Sequence, residues 1–592
     1  MLNKLLQSIL WLKNKVSARQ FLVFAAIVIG FSAGIMAAIL KTSVHLVQNV
    51  FNTEGVFSPL KTPYMLVFPM IGILLTVFFV QKVLNGDLGK GVSNILYEIA
   101  KKSAFVKRHK IFSHVITSSL TVGLGGSAGL EAPIAITGSA VGSNIASALG
   151  MPYRDRVLLL GCGAAAGIAA VFNSPIAGVM FAIEVLLTEV TLSSFIPLII
   201  SAAVGALFSK IIFNDNTLFI FRLREPFNYL NVPYYIVLGL LCGLVALYYA
   251  RVTHRIAQFF NKMPSKPYIK ALFGGSLLAI LMYFFPPLFG EGYESIRLLA
   301  DDKTDILLKN SIFSAYRFQD WAIIAFIGAI VFIKAIATSI TLSSGGNGGN
   351  FAPSLFVGAF LGYGFSKFLN TVLSINLPPP NFTIVAMAGV LSGVFYAPLT
   401  AIFLIAEVTG GYELIIPLMI VSTFSNVLVR HFAPISLEMK DMIEKGEAFS
   451  QDKDRNILLM LQLDNLVETD FKTISPDATL RQLIEVLKNS TRNLFAVTNL
   501  DGTLAGIITL DDIRAVMFDT TLYEIKKVRD LMTSPPATLR HNDSMNDVMK
   551  KFDTTEAWNL PVVKEGIYIG FISKSTIFSK YRSQLIEQSD VT

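Results

Sequence analysis

Charge and cysteine are what this chain is short of. Lys, Arg, Asp and Glu together make up 15% of its 592 residues, with six histidines and two cysteines among the rest. Cys162 and Cys242 both fall inside apolar stretches, so neither a disulfide framework nor a cysteine metal site is expected. The histidines form no ligand cluster, and no nucleophile stands in an evident arrangement with a base. An enzyme, a bound metal and a required cofactor are therefore not expected. No small-residue cleavage site follows a short apolar core near the start, which argues against a cleavable signal peptide. The net charge of +8 is better read as membrane topology than as affinity for nucleic acid.

What the chain has instead is apolar length. Hydrophobic residues make up 53% and the mean hydropathy is +0.58, far from soluble averages. Apolar stretches recur at Phe21–Leu40, Tyr64–Val80, Val157–Phe172, Phe195–Phe213, Tyr234–Ala250, Ala271–Phe285, Trp321–Ile340, Ser354–Phe368 and Leu414–Val429. Several are shorter than the roughly 20 residues a spanning helix needs. Short pieces interrupted by Gly and Pro read as half-helices buried by protein. The expectation is a polytopic α-helical protein embedded in a lipid bilayer. Lys4, Lys13, Lys15 and Arg19 precede the first long run with no acid among them. By the positive-inside rule that end is cytoplasmic.

Two pairs of segments repeat. Gly129-Leu130-Glu131-Ala132-Pro133, continuing to Gly138 and Gly142, matches Gly349-Asn350-Phe351-Ala352-Pro353, continuing to Gly358 and Gly362. Proline suits the first helical turn, where its missing N–H costs nothing. The residues around it then offer free backbone N–H groups at the positive end of a helix dipole, a ready anion site. The second pair runs from Asn173 to Glu184-Val185 and from Tyr396 to Glu407-Val408, at nearly the same displacement along the chain. This is one long repeat, roughly 20–215 and 230–435, with the layout of transporters whose inverted repeats and broken helices meet near mid-membrane.

Past about Lys445 the texture changes. Thr479–Ser490 carries a helical apolar face at Leu480, Leu483, Ile484 and Leu487. Leu494–Thr498 and Leu504–Thr509 read as strands joined at Asn499-Leu-Asp-Gly502, and Asp511–Phe518 as another helix. The order helix–strand–strand–helix recurs at Ser544–Phe552, Leu560–Val563, Tyr568–Ser573 and Thr576–Tyr581, with Gly506 matching Gly570. Residues 1–445 are thus a membrane domain, and 446–592 a tandem α/β module expected on the cytoplasmic side.

Four motifs in order, Gly89-Lys90-Gly91-Val92-Ser93, Gly129 to Pro133, Asn173 to Val185 and Gly348 to Pro353, resemble those of the CLC family of chloride channels and proton-coupled chloride transporters, with a tandem CBS tail. The resemblance covers essentially the whole chain. It implies a homodimer in which each subunit holds its own anion pathway. It assigns Glu131 as the gating glutamate, occupying an anion site when ionised and leaving when protonated or displaced by chloride. A plain helix-capping role is the competing reading of Glu131. Gly89, Lys90, Gly91, Gly129, Leu130, Ala132, Gly349, Asn350 and Phe351 are the anion-binding positions, acting mainly through backbone N–H groups that glycine lets approach.

The chain departs from that pattern in three places. Lys90 stands where the family usually has Ser; it either snorkels its ammonium to water or brings a positive charge into the anion path. No Tyr occurs in Ile435-Ser-Leu-Glu-Met-Lys440, where an inner hydroxyl is usual. Val185 occupies the position of the exchangers' internal proton glutamate, as in the family's channels; Glu184 reads as a helix-end residue, since Glu407 occupies the equivalent repeat position.

These departures favour chloride transport that is channel-like or weakly proton-coupled. A coupled chloride/proton exchanger, or a fluoride- or nitrate-selective member, stays open. A CBS-bearing divalent-cation transporter is a more remote alternative that would need clustered membrane acids, and Glu131, Glu184 and Glu407 stand apart in sequence. In the tail, Thr509-Leu-Asp-Asp512 resembles the Thr-x-x-Asp contact of nucleotide-binding CBS pairs. Thr509 and Asp512 are thus candidates for a regulatory adenine nucleotide, with a purely structural tail as the alternative.

Overall fold

The computed structural model describes residues 15–51, 63–89, 91–187, 192–213, 225–309, 311–436, 440, 461 and 463–589. It divides into two compact units, Met1–Glu447 and Ala448–Thr592. Eight of the helices described in the first unit are long and apolar enough to cross a membrane. They account for every apolar stretch read from the sequence except Ser354–Phe368. That stretch lies within Phe351–Leu373, whose first two turns are wholly buried. Shorter apolar helices, Pro175–Leu186, Pro379–Phe395 and Pro398–Val408, complete the set.

The repeat seen in the motifs extends to the packing. Helix Glu131–Ala148 packs on Tyr153–Phe172, and Phe351–Leu373 packs on Pro379–Phe395. Ala18–Phe51 lies against Leu192–Phe213, as Val232–Lys262 lies against Ile415–Phe432. Corresponding helices stop in the same way: Tyr153–Phe172 ends on left-handed Asn173 (φ 55°) and Pro379–Phe395 on left-handed Tyr396 (φ 60°). Each break lets the chain restart at a proline, Pro175 and Pro398, where the lost N–H needs no partner. The two halves are therefore the same arrangement of helices made twice. At Gly129 and Gly349 the copies run antiparallel to each other.

The tail unit holds two three-stranded sheets of the same design. In one, Thr473–Ile474 pairs parallel to Leu494–Thr498, which pairs antiparallel to Leu504–Thr509. In the other, Leu539–Arg540 pairs parallel to Asn559–Lys564, which pairs antiparallel to Ile567–Ser573. The two-residue parallel strands are too short to leave a periodic signal in the sequence. Helix Leu480–Lys488 opens on a capping box between Thr479 and Gln482, which satisfies two otherwise orphaned N–H groups. The helix expected over Asp511–Phe518 is shorter: it spans Leu510–Ile513. Val516 and Met517 both donate to the Ile513 carbonyl, at 3.0 and 2.8 Å, closing a tight turn that ends it.

Candidate functional site

The centre of the membrane unit is built from the two Gly-rich loops. Gly126 donates to the Thr121 carbonyl at 2.8 Å and Gly346 to the Thr341 carbonyl at 3.0 Å, so each loop turns sharply off the preceding helix. The loops then meet. Gly129 N–H donates to the Gly349 carbonyl at 2.9 Å, and Gly349 N–H to the Gly129 carbonyl at 2.8 Å. Helices Glu131–Ala148 and Phe351–Leu373 begin directly after this bridge. Two helix N-termini therefore converge on one point, where their dipoles add for a negative charge. Glycine is required there on steric grounds. A Cβ at Gly129 would stand 2.1 Å from the Glu131 carboxylate and 2.9 Å from the Ala352 Cβ; one at Gly349 would stand 2.9 Å from the Ala132 Cβ.

The Glu131 side chain occupies that point, with only 1% of its surface exposed. Its Oε1 accepts from the Tyr293 hydroxyl at 2.6 Å and its Oε2 from the Ala352 N–H at 3.3 Å. A carboxylate thus binds across the repeat, at the N-terminus of the other half's helix. The residues expected to ligate an anion surround it in different ways. Leu130 and Ala132 flank Glu131, and both are buried. Asn350 caps its helix, and its side-chain oxygen accepts from Tyr249 at 3.2 Å. Phe351 packs its ring against Phe172, Phe181 and Phe395. Ala352, one residue further on, supplies the N–H that the sequence reading had not singled out.

Gly89 and Gly91 have φ of 65° and 75°, and Gly91 caps helix Val92–Lys101. Lys90 lies outside the described residues, as do residues 437–439 of the segment where an inner tyrosine was sought. Behind the Gly89–Gly91 loop, buried Lys110 donates to Asn94 at 2.6 Å and to buried Glu98 at 2.9 Å.

Three residues that the structure places at or beside this site were not singled out from the sequence: Tyr293, Glu291 and Lys334. A signal for them existed. Gly290-Glu291-Gly292 before helix Tyr293–Ala300 repeats Gly89-Lys90-Gly91 before helix Val92–Lys101. Gly290 and Gly292 also have left-handed φ, 63° and 89°. An acid between two glycines in an apolar region stands out once the repeat is extended to it.

Glu184 and Glu407 cap each other's half. Glu184 accepts from the N–H groups of Leu399 and Thr400 at 3.0 and 2.7 Å, and from the Thr400 hydroxyl at 2.7 Å. Glu407 accepts from the N–H groups of Ile176 and Ala177 at 3.2 and 3.0 Å. Each carboxylate stabilises the positive end of the opposite short helix. Val185 lies in a turn of π-helix, Ala182–Leu186, whereas the second copy stays regular through Val408.

In the tail, Asp512 Oδ2 accepts from both the N–H and the hydroxyl of Thr509, each at 2.7 Å, forming the cap of helix Leu510–Ile513. In the second unit Ser573 and Thr576 take these places without an acid in the motif. Glu468 supplies one from outside it, with Oε1 accepting from Ser573 at 2.7 Å and from Thr576 at 2.5 Å. Burial alone would raise the Glu468 carboxyl, but the Thr576 and Ser573 hydroxyls and Arg492 together hold it below the usual carboxylate range.

Comparison with known proteins agrees with this construction. Residues 72–430 match the family described as voltage gated chloride channel, and residues 463–519 and 528–583 each match the CBS domain. The chain is 27% identical over 438 residues to chloride channel protein CLC-e of Arabidopsis thaliana, covering 68% of this chain and 59% of that one. It is 26% identical over 416 residues to an H(+)/Cl(-) exchange transporter ClcA of Vibrio cholerae, covering 68% and 84%. It thus spans under two thirds of the length of the Arabidopsis relative. Among solved structures, a slow cyanobacterial Cl-/H+ antiporter superposes with a TM-score of 0.61 at 20% identity, over 74% of this chain and all of that one. A eukaryotic CLC transporter gives 0.60 at 18% identity over 95% and 99%, which establishes the shared fold. With its paired Gly-rich loops, its buried Glu131 and the matched segments, the chain belongs to the voltage gated chloride channel (CLC) family and carries two CBS domains after its membrane unit.

Proposed function

We propose that the chain forms a transmembrane pathway for chloride, channel-like or weakly proton-coupled, in which the Glu131 carboxylate competes with the anion. The observation that carries this reading is the seat of that carboxylate, buried between the Tyr293 hydroxyl and the Ala352 N–H where two helix N-termini converge. Donors that hold a carboxylate there suit a chloride ion equally. Relatives named as chloride channels and as H(+)/Cl(-) exchangers support an anion substrate and leave the coupling to this chain's own residues. Gly89, Lys90 and Gly91 form the other anion-facing loop in this reading, with Lys90 as an attracting charge. The assembly is a homodimer with one pathway per subunit, and both the N-terminus and the CBS tail face the cytoplasm. A liposome assay recording chloride and proton movement together tests the mode. A reversal potential that follows chloride alone identifies a channel; a shift with the pH gradient identifies exchange.

Val185 supports the channel-like mode, because valine cannot carry a proton at the internal position. Val185→Glu alone should not produce tight coupling, since the segment Ile435–Lys440 carries no tyrosine of its own to close the cytoplasmic end. Proton flux that stays below about a tenth of stoichiometric in the mutant is the expected result; fixed-ratio exchange would overturn it. The coupled exchanger is the second reading, favoured by Glu98, a buried carboxylate held by Lys110 behind the Gly89–Gly91 loop. It would act in place of a glutamate at 185.

The CBS tail is a regulator in this reading, binding adenine nucleotide at Thr509 and Asp512. Calorimetry of the purified protein with ATP and AMP should show heat that Asp512→Ala abolishes. No heat at millimolar ligand would mean that the two residues serve only as the helix cap.

A further inference from the structure

The Gly290-Glu291-Gly292 loop is placed against the gate. Gly290 N–H donates to the Gly125 carbonyl at 3.0 Å, fixing the loop to the turn that leads into Gly129. The next residue, Glu291, therefore sits between that anchor and Tyr293, beside the gate. Two residues further on, Tyr293 donates to Glu131 itself. Beneath the loop, fully buried Lys334 donates to the carbonyls of Leu288 and Gly290 at 3.3 and 3.1 Å, with its ammonium 4.6 Å from the centre of the Phe356 ring.

The charged and titratable groups within electrostatic reach of Glu291 come from several elements. They are Glu131 on helix Glu131–Ala148, Lys334 on Asp320–Ser343, Lys41 on Ala18–Phe51 and Tyr293 on its own short helix. Two carboxyl groups in one partly buried site, with lysines on one side, do not titrate independently.

We propose that Glu291 is a second proton-binding carboxylate of the pathway, coupled through space to Glu131, and that its charge sets the pH at which Glu131 leaves the anion site. This deepens the Glu131 reading and rests on it. In the transfer step the O–H bond of protonated Glu291 breaks and an O–H bond forms on a Glu131 oxygen. Glu291 is left as a carboxylate within electrostatic reach of Lys334 and Lys41. Glu131 becomes neutral, loses its attraction to the converging helix N-termini, and yields the site to chloride.

Anion efflux from proteoliposomes, measured against pH, tests the proposal in wild type, Glu291→Gln, Glu291→Asp and Glu131→Gln, and in the double Gln variant. Removing a negative neighbour lowers the pKa of Glu131, so Glu291→Gln should move acid activation to lower pH by about one unit or more. Glu291→Asp keeps the charge and should stay near the wild-type curve. In the Glu131→Gln background, flux should be insensitive to pH and Glu291→Gln should change nothing. If Glu131→Gln is flat while Glu291→Gln lies on the wild-type curve, the role of Glu291 is overturned and the gate stands. If Glu131→Gln keeps the wild-type pH profile, the gate reading itself falls, and the coupling with it.

Discussion

Replacing Glu131 with glutamine should leave an anion pathway that stays open and loses its dependence on pH. In the proposed pathway the wild-type carboxylate fills the site as an ion and releases it when protonated, so flux should rise as pH falls. Glutamine is neutral at every pH. It keeps the size of the side chain, but its single amide oxygen can accept from only one of the two donors, Tyr293 or Ala352, and not as a charge. Charge-assisted hydrogen bonds are roughly twice as strong as neutral ones, and the helix-dipole attraction vanishes with the charge. Chloride should then displace the side chain at all pH values. Between about pH 3 and 8, a range that spans ordinary and buried carboxylates, the mutant curve should be flat and lie at or above the wild-type maximum. Full pH dependence in the mutant would show that another group is the gate. Glu131→Ala should behave the same way, since the tethered competitor is gone altogether.

The second large effect concerns packing. Gly163→Val should abolish the folded protein, because helices Glu131–Ala148 and Tyr153–Phe172 touch through their backbones. A Cβ at Gly163 would stand 1.9 Å from the Gly138 carbonyl oxygen, and one at Gly138 would stand 2.1 Å from the Gly163 carbonyl oxygen. No rotamer relieves a clash with backbone, so the helices would have to separate. The second half is built alike: a Cβ at Gly362 would stand 2.1 Å from the Phe382 carbonyl oxygen. Overpacking a tight core costs about 1–3 kcal/mol and more where backbone must move, so the loss should reach at least about 3 kcal/mol. Size-exclusion chromatography in detergent should show the monodisperse peak gone. Gly328→Ala is the matched control, since its helix faces open space at that position. A folded, active Gly163→Val protein would mean that the two helices do not approach this closely.

Much of this architecture is legible in the sequence because membranes and repeats leave strong marks. A lipid-facing helix must be apolar over its length. The long stretches therefore appear as helices, some running well past their expected bounds: Phe21–Leu40 lies within Ala18–Phe51 and Tyr234–Ala250 within Val232–Lys262. The paired loops at Gly129 and Gly349 are legible for another reason. Backbone contact between repeats tolerates only glycine, so the same spacing had to be kept twice. Tail strands such as Leu494–Thr498 and Leu504–Thr509 are short apolar runs, buried at three successive positions, and fall where the turn residues Asn499–Gly502 between them put them. Helix Leu510–Ile513 was overextended because apolar Val516 and Met517 mimic a helical face that a turn in fact supplies.

The sequence by itself determined that the chain is a duplicated membrane protein with an acidic residue at one of two helix starts. Those facts rest on composition and on spacing along the chain. What only the tertiary structure decided is which groups meet across it. Tyr293 and Ala352 reach Glu131 from the other half of the repeat, and Glu184 and Glu407 exchange caps between halves. Glu291 comes to rest within electrostatic reach of Glu131, and Lys334 under the loop that carries it. Such partners lie far apart in sequence, and periodicity describes only what one element does along its own axis. Electrostatic and hydrogen-bond partners are set by how the two halves pack.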